Sequence, residues 1–229
     1  MLITHQLNIK VPGWLSGLVN SANHRRIKKF SACWIPDWEG ENSFSGELSA
    51  NPGFPVSYLG PLSRFHWMDP VKNKYEMLAI ISGPEPQRTI FEILLRTELR
   101  KSGKKALLVR GIPPLTDRKR EGSMEEVNHL AAGEMNQAIL ESEIIISRPG
   151  YSTIMDLATL KKKAIFIPTP GQPEQAYLGK ELMKKKIALC LPQDNLNIEQ
   201  ALKDSLSYSG FAGYHADDLL TRALDKVLL

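Results

Sequence analysis

Long apolar runs are missing from this 229-residue chain. None approaches the ~18 residues of a membrane-spanning helix, and residues 1–20 lack a charged segment followed by an apolar core, so neither an anchor nor a secretory leader is expected. Cysteine is scarce: Cys33 and Cys190 stand far apart in apolar runs without a C-x-x-C pattern. They are expected to be free, buried thiols in a reducing compartment. Aromatic residues make up 7% of the chain and do not interleave with its basic clusters, which argues against nucleic acid as a partner. No H-E-x-x-H, paired His/Cys spacing or D-x-D occurs, so no metal site and no cofactor are expected.

What is present is a core-forming composition. Apolar residues at 42% exclude intrinsic disorder, and the length suits one large or two small domains. The net charge of +4 is unevenly spread, with clusters at Arg25-Arg26 and Lys28-Lys29, Arg118 to Arg120, Lys161 to Lys163 and Lys184 to Lys186. The plainer reading of such clusters is solvated helix ends. The sharper one is contact with an anionic membrane surface or a phosphate-bearing substrate.

Taken in order, residues 1–6 read as a strand, Trp14 to Val19 as a short helix, and Ala32 to Pro36 as a second strand. Residues 37–63, rich in Gly, Ser, Asn and Pro, read as loops and an interdomain connection. From Glu76 the pattern is regular, with strands expected at 76–82, 105–109, 126–130, 143–147, 163–168 and 187–192. Helices are expected at 87–102, 134–142, 153–162, 174–186, 196–208 and 215–228, and residues 111–123 as a loop. Short apolar runs alternating with amphipathic helices predict a Rossmann-like α/β domain, a parallel sheet with helices on both faces, preceded by part of a second α/β domain. The domains are expected at 1–63 and 64–229.

Ligands of such sheets bind where strand carboxyl ends meet helix openings. In Ser147-Arg148-Pro149-Gly150-Tyr151-Ser152-Thr153, Gly150 permits a positive-φ turn and Ser152 or Thr153 can cap the next helix, whose first N–H groups then face an anion. Asp156 is expected in that helix's first turn. The loop from Pro168 to Gln175 delivers Glu174 and Gln175 to another helix start. Asp156 and Glu174 could equally well only offset helix dipoles. The residues alone point to a nucleotide or phosphate site.

The pattern S-R-x-G-x-x-T-x-x-[E/D]-L, then an apolar strand, P-x-P and a glutamine before a helix, resembles the donor domain of GT-B glycosyltransferases of family 28. That family includes the bacterial enzyme that adds N-acetylglucosamine to undecaprenyl-linked muramyl-pentapeptide. The resemblance implies that Asp156, where the family has glutamate, holds the ribose hydroxyls of UDP and that Gln175 contacts the sugar. It extends at lower specificity to the N-terminal part. There His5-Gln6, Asn23 and Asp37 fall in the order of acceptor-domain elements, and Gly60 to Arg64 in that of the interdomain linker. Arg64 would face the donor diphosphate, and Met135 would sit beside the uracil.

Residues 82–88 replace a glycine-rich turn of the family. Gly83 remains, but Pro84 and Pro86 offer no N–H, so the phosphate role would pass to Gln87 and Arg88. The expected function is transfer of a hexosyl group, N-acetylglucosamine first among them, from a UDP-sugar to a lipid-linked or saccharide acceptor, without metal. The alternatives are a nucleotide-sugar-binding subunit of a split transferase, and a UDP-sugar 2-epimerase. The general base and the rest of the acceptor domain, in cis or in trans, are expected outside this sequence. The expected location is cytoplasmic, peripheral at the inner face of the membrane.

Overall fold

Two short apolar strands joined through a helix open the chain. The structure, a computed structural model, describes residues 1–228 apart from 12, 52, 69–71, 114–116, 195 and 214–218. It divides into two units, Met1–Leu62 with His215–Leu229, and Ser63–Tyr214.

In the first unit β1 (Leu2–Ile3), β2 (Cys33–Ile35) and β3 (Ser57–Tyr58) form a parallel sheet in that order. The helix α1 (Gly13–Ile27) links β1 to β2 and is longer than the expected turn or two, taking in Arg25 and Arg26. Residues 37–49 are more ordered than a connection. The fully buried Asp37 carboxylate accepts hydrogen bonds from the backbone N–H groups of Trp38, Phe44 and Ser45 and from the hydroxyls of Ser43 and Ser45. These donors compensate a buried charge that would otherwise be costly, and they seat Phe44 and Leu48 in the interior.

The second unit follows the expected alternation closely. Its strands are β4 (Tyr75–Ile80), β5 (Ala106–Val109), β6 (Arg118–Glu121), β7 (Met124–Val127), β8 (Ser142–Ser147), β9 (Lys163–Phe166) and β10 (Leu189–Cys190). The helices are α2 (Gln87–Ser102), α3 (Ala132–Leu140), α4 (Tyr151–Thr159), α5 (Pro173–Lys184) and α6 (Ile198–Ser205). Among the described residues the sheet order is β10-β9-β8-β4-β5-β7-β6, parallel except for the β6–β7 pair. Every residue of β5 is buried, and Phe91, Leu95 and Leu99 of α2 pack on the sheet at helical spacing. Gly103, at φ 64, ends α2 in the left-handed region.

Two expectations are corrected. Part of 111–123 is not loop: β6 pairs back on β7, and its four exposed residues Arg-Lys-Arg-Glu show period-2 pairing without apolar alternation. Charge on an edge strand opposes sheet-to-sheet association, and hides the strand from a hydrophobicity reading. Of the helix expected at 215–228, residues 215–218 lie outside the described residues. The remainder, α7 (Leu219–Leu228), groups with the first unit instead of the second, because Ala223 is buried with Trp34 and Leu59. No helix among the described residues is long and apolar enough to cross a membrane. Both cysteines are free, Cys33 buried and Cys190 partly so.

Gly179 of α5 sits against β10, and a Cβ there would collide with Cys190 Sγ. Gly179→Ala should therefore cost about 1–3 kcal/mol of stability by overpacking. Adding Cys190→Ala should recover part of the loss in urea denaturation; no recovery would show that the strain lies elsewhere.

Candidate functional site

The order of the second sheet reverses between β4 and β8: β5 lies on one side of β4, while β9 and β10 continue beyond β8. Loops leaving these two neighbouring strands diverge, which opens a crevice at their carboxyl ends. The topology thus puts residues 81–87, 147–150 and 167–172 on one edge.

Arg148 fastens these loops together. Its side chain is 2% exposed, and its guanidinium lies 3.8 Å from the centre of the Phe91 ring. Nη1 donates to the carbonyls of Ile167 (2.9 Å) and Pro168 (3.0 Å), and Nη2 to Gln193 Oε1 (2.6 Å) and the Gln87 carbonyl (3.4 Å). Burial pushes its pKa down to about 10, so it stays charged at neutral pH. Arg148, expected to meet the donor, is thus committed to holding three loops. Its Nε, Ser147 Oγ and Thr169 Oγ1 are buried without partners among the described residues.

Asp156 has a different setting. Ser63 Oγ donates to its Oδ1 at 2.6 Å, and no other hydrogen bond reaches the carboxylate within the described residues. Burial raises its pKa above the ordinary carboxylate value, partly opposed by the Ser63 hydrogen bond and by Arg64. Arg64 itself is exposed, its guanidinium 5.0 Å from the Phe65 ring centre. The segment after Ser63 is tied to α3 by Asn136, whose side chain accepts from His66 N–H and donates to the His66 carbonyl. Met135, half-buried, is the neighbouring residue. Neither Ser63 nor Asn136 was signalled by the sequence; a lone buried Asn inside a helix was the available clue.

Several local expectations change. Gly150 has φ −71 and ψ 142, ordinary extended backbone, and a Cβ there would meet Thr153 Oγ1 only at 3.7 Å. Helix α4 begins at Tyr151, with Gly150 as its cap and no side-chain capping bond, so Ser152 and Thr153 lie inside the first turn and are not caps. For the same reason Asp156 falls in the second turn.

Of the residues expected at the phosphates, Gly83 adopts φ 111 in an exposed loop. Gln87 opens α2, and its Oε1 lies 3.5 Å from Gln193 Nε2. The Arg88 guanidinium is engaged by Glu85 (2.7 Å), Glu92 (2.9 Å) and the Arg110 carbonyl (3.2 Å). Glu92 is buried and gathers Arg88, Arg96 and Arg110, an ionic hub that positional reasoning did not single out. Gln175 Oε1 accepts from Thr169 N–H at 2.8 Å and closes the proline loop, with Glu174 beside it in the first turn of α5. A cleft of about 590 Å³ adjoins this loop, its polar lining made by Thr169, Gln172, Lys180, Gln193 and Asp194.

In the first unit Asn23 donates to the Gln6 (3.4 Å) and Leu7 (2.9 Å) carbonyls, so two of the three acceptor-side candidates meet; half-buried His5 precedes them.

Residues 98–211 match the model of the Glycosyltransferase family 28 C-terminal domain, a stretch that runs from late α2 through β5 to β10 and past α6. Residues 98–211 thus resemble the C-terminal domain of family 28 glycosyltransferases. Over 62 residues, 26% of this chain, it is 40% identical to the UDP-N-acetylglucosamine--N-acetylmuramyl-(pentapeptide) pyrophosphoryl-undecaprenol N-acetylglucosamine transferase of Rickettsia felis, of which that stretch is 17%. It is 21% identical to a glycosyltransferase of Methanopyrus kandleri over 91% of this chain and 62% of that one.

Among solved structures, MurG of Acinetobacter baumannii superposes with a TM-score of 0.60 at 15% identity, covering 99% of this chain and 66% of that one. The glycotransferase of kitacinnamycin gives 0.64 at 13% identity, covering 99% and 69%. These likenesses establish the GT-B fold. The chain thus spans 62% of the Methanopyrus relative's length and 66% of the Acinetobacter protein's.

Two measurements test the site's construction. Arg148→Lys keeps the charge but loses the planar fork, and should lower stability by about 1–3 kcal/mol through unmade hydrogen bonds; an unchanged urea midpoint would show that the fork does not hold the loops. For Asp156 the folded pKa lies above the unfolded one, so the folded state binds the proton more tightly. Stability from this group is present at low pH and lost as pH rises from the ordinary carboxylate value through the raised one. Asp156→Asn should therefore be more stable than the parent above that window, and the difference should shrink below it in denaturation followed against pH.

Proposed function

We propose that this chain binds a UDP-sugar, N-acetylglucosamine being the sugar, and serves its transfer to a lipid-linked or saccharide acceptor. In this reading the second unit supplies the donor site, and the first unit belongs to the acceptor side. The rest of the acceptor domain is supplied in cis or in trans, and the enzyme works at the cytoplasmic face of the membrane.

The observation that carries the reading is Asp156. Its half-buried carboxylate has Oδ1 engaged by Ser63 and Oδ2 without a partner among the described residues, on the helix of the family motif. A carboxylate that has shed part of its hydration and keeps an acceptor oxygen available suits a vicinal diol such as ribose. Gln175, braced by Thr169 N–H, keeps its amide nitrogen for a sugar hydroxyl. Charge on the departing UDP would be met by Arg64 and by the N-terminal end of α4, both favourable to an anion. Arg88, balanced by two glutamates, contributes little net field. Displacement at the anomeric carbon also needs a base on the acceptor side.

The direct test is calorimetric titration with UDP, GDP and CDP. UDP should be preferred, and Asp156→Ala should weaken it by about 1.5–3 kcal/mol, the range for a hydrogen bond to a charged group. The parent should bind 2′,3′-dideoxy-UDP about as weakly as the variant binds UDP. Preference for GDP, or a variant that still discriminates against the dideoxy compound, would overturn the assignment.

A further inference from the structure

Two lysine runs that stand apart in sequence are brought side by side by the second unit. Lys161 to Lys163 follow α4 and lead into β9, and Lys184 to Lys186 end α5 and lead into β10. Because β9 and β10 are parallel neighbours, paired at Ile165 and Leu189, both runs reach the sheet's amino edge, opposite the crevice. The segment Ser209-Gly210-Phe211 laces them together. Ser209 N–H donates to the Lys186 carbonyl (2.9 Å), Gly210 N–H to that of Ile187 (2.9 Å) and Phe211 N–H to that of Lys162 (3.2 Å). Gly210, at φ 73, is required there, since a Cβ would come 2.7 Å from Lys163 Cγ and 3.3 Å from the Lys162 carbonyl oxygen.

Whereas α2 ends on Gly103, the chain enters left-handed backbone after α4 and α5 at Lys161 (φ 53) and Lys186 (φ 57), where a Cβ is crowded. Each of these ammonium groups lies over an aromatic ring, Lys161 at 5.4 Å from the centre of Trp67 and Lys186 at 5.3 Å from that of Tyr208. Lys161, Lys162, Lys163, Lys184 and Lys186 make no ion pair among the described residues. Lysines at helix carboxyl ends are favourable with the dipole alone. That effect requires neither left-handed lysines nor a glycine stitch that sets two runs together, and like charges held together repel until an anion lies over them.

A groove of about 530 Å³ begins at Lys163 and narrows the choice of anion. Ile144, Leu202 and the 78% exposed Leu206 line it, together with Glu143, Glu199 and Lys203. Nucleic acid has no apolar side chain to place there, and its phosphates, like the headgroups of a flat bilayer, would meet Glu143 and Glu199. A polypeptide can set carboxylates over the lysines and an apolar side chain in the groove beside them.

We infer that the amino edge of the second unit, from the two lysine runs to the Leu206 groove, docks an acidic polypeptide segment that carries an apolar anchor. This face lies away from the carboxyl ends of the strands, so the inference goes beyond the proposed function and stands without it.

The test is fluorescence anisotropy of two labelled probes, poly-L-glutamate and a glutamate–tyrosine copolymer of the same length, titrated with the whole chain. Binding should weaken with salt, and the copolymer should bind more tightly. Lys163→Glu with Lys184→Glu should weaken both probes by about tenfold or more, and Lys163→Gln with Lys184→Gln by less. Leu206→Ser should weaken the copolymer alone. Lys119→Glu with Arg120→Glu, an equal change of charge on β6, should leave both affinities within about twofold. All four variants should keep the parent's thermal midpoint and UDP affinity, so failure here is distinguishable from failure of the donor assignment. No binding, equal losses from the two Glu pairs, or a Leu206→Ser variant that holds the copolymer as the parent does would each overturn the inference. So would tighter lysine-dependent binding of polyuridylate or phosphatidylglycerol vesicles, or self-association without probe that Leu206→Ser abolishes.

Discussion

A single buried guanidinium sets the geometry on which the crevice depends. Carbonyl oxygens at the end of β9, the first carbonyl of α2 and the side chain after β10 have no reason of their own to converge. Arg148 supplies them with donors directed in one plane. Desolvating a cation without a carboxylate beside it is costly, and the offset comes from four oxygen acceptors and the face of Phe91. Because those partners are on different elements, the loops around the crevice cannot drift independently. The same donors are thereby withheld from any ligand. In the proposed reading, charge for an incoming anion comes from elsewhere, from Arg64 and helix ends.

Asp156 shows the opposite choice. Where Arg148 spends its hydrogen-bonding capacity on the fold, Asp156 keeps one oxygen in reserve and bears a desolvation cost that the Ser63 hydroxyl and Arg64 only partly relieve. Half-buried groups with unused hydrogen-bonding capacity are where binding free energy can be gained. The contrast between the two residues, on either side of one helix start, separates a loop brace from a group with spare hydrogen-bonding capacity more sharply than burial does.

Much of the second unit was legible because buried parallel strands are continuous apolar runs and their covering helices are not. Residues 76–82, 105–109 and 143–147 became β4, β5 and β8 nearly as expected. β6 was not legible, since an edge strand written Arg-Lys-Arg-Glu carries pairing information only in its backbone. Helix starts slipped by one or two residues, which moved Ser152 and Thr153 from cap to first turn and Asp156 to the second. Such shifts are the usual reach of boundary reading. The residue types of the candidate site were legible along a motif, but what each side chain bonds to was not. That Arg148 is a brace, that Arg88 is balanced by Glu85 and Glu92, and that Ser63 serves Asp156 across 93 positions of sequence are facts of packing between distant segments.

The first unit resisted reading for a reason that is itself informative. Hydrophobic periodicity assumes that apolar means inward, and α1 follows it only in part: Ile27 is buried, but Asn20, Asn23 and His24 bond to the chain while Trp14 and Leu18 are exposed. Only part of the helix could therefore be anticipated, and the basic run at its end looked like a separate feature. Asp37 repeats the lesson in the next loop, where a polar side chain organises the interior and the Gly- and Ser-rich sequence around it supplies the donors. Local rules are weakest where polar side chains tie an element to the rest of the chain, and both α1 and residues 37–49 are held that way.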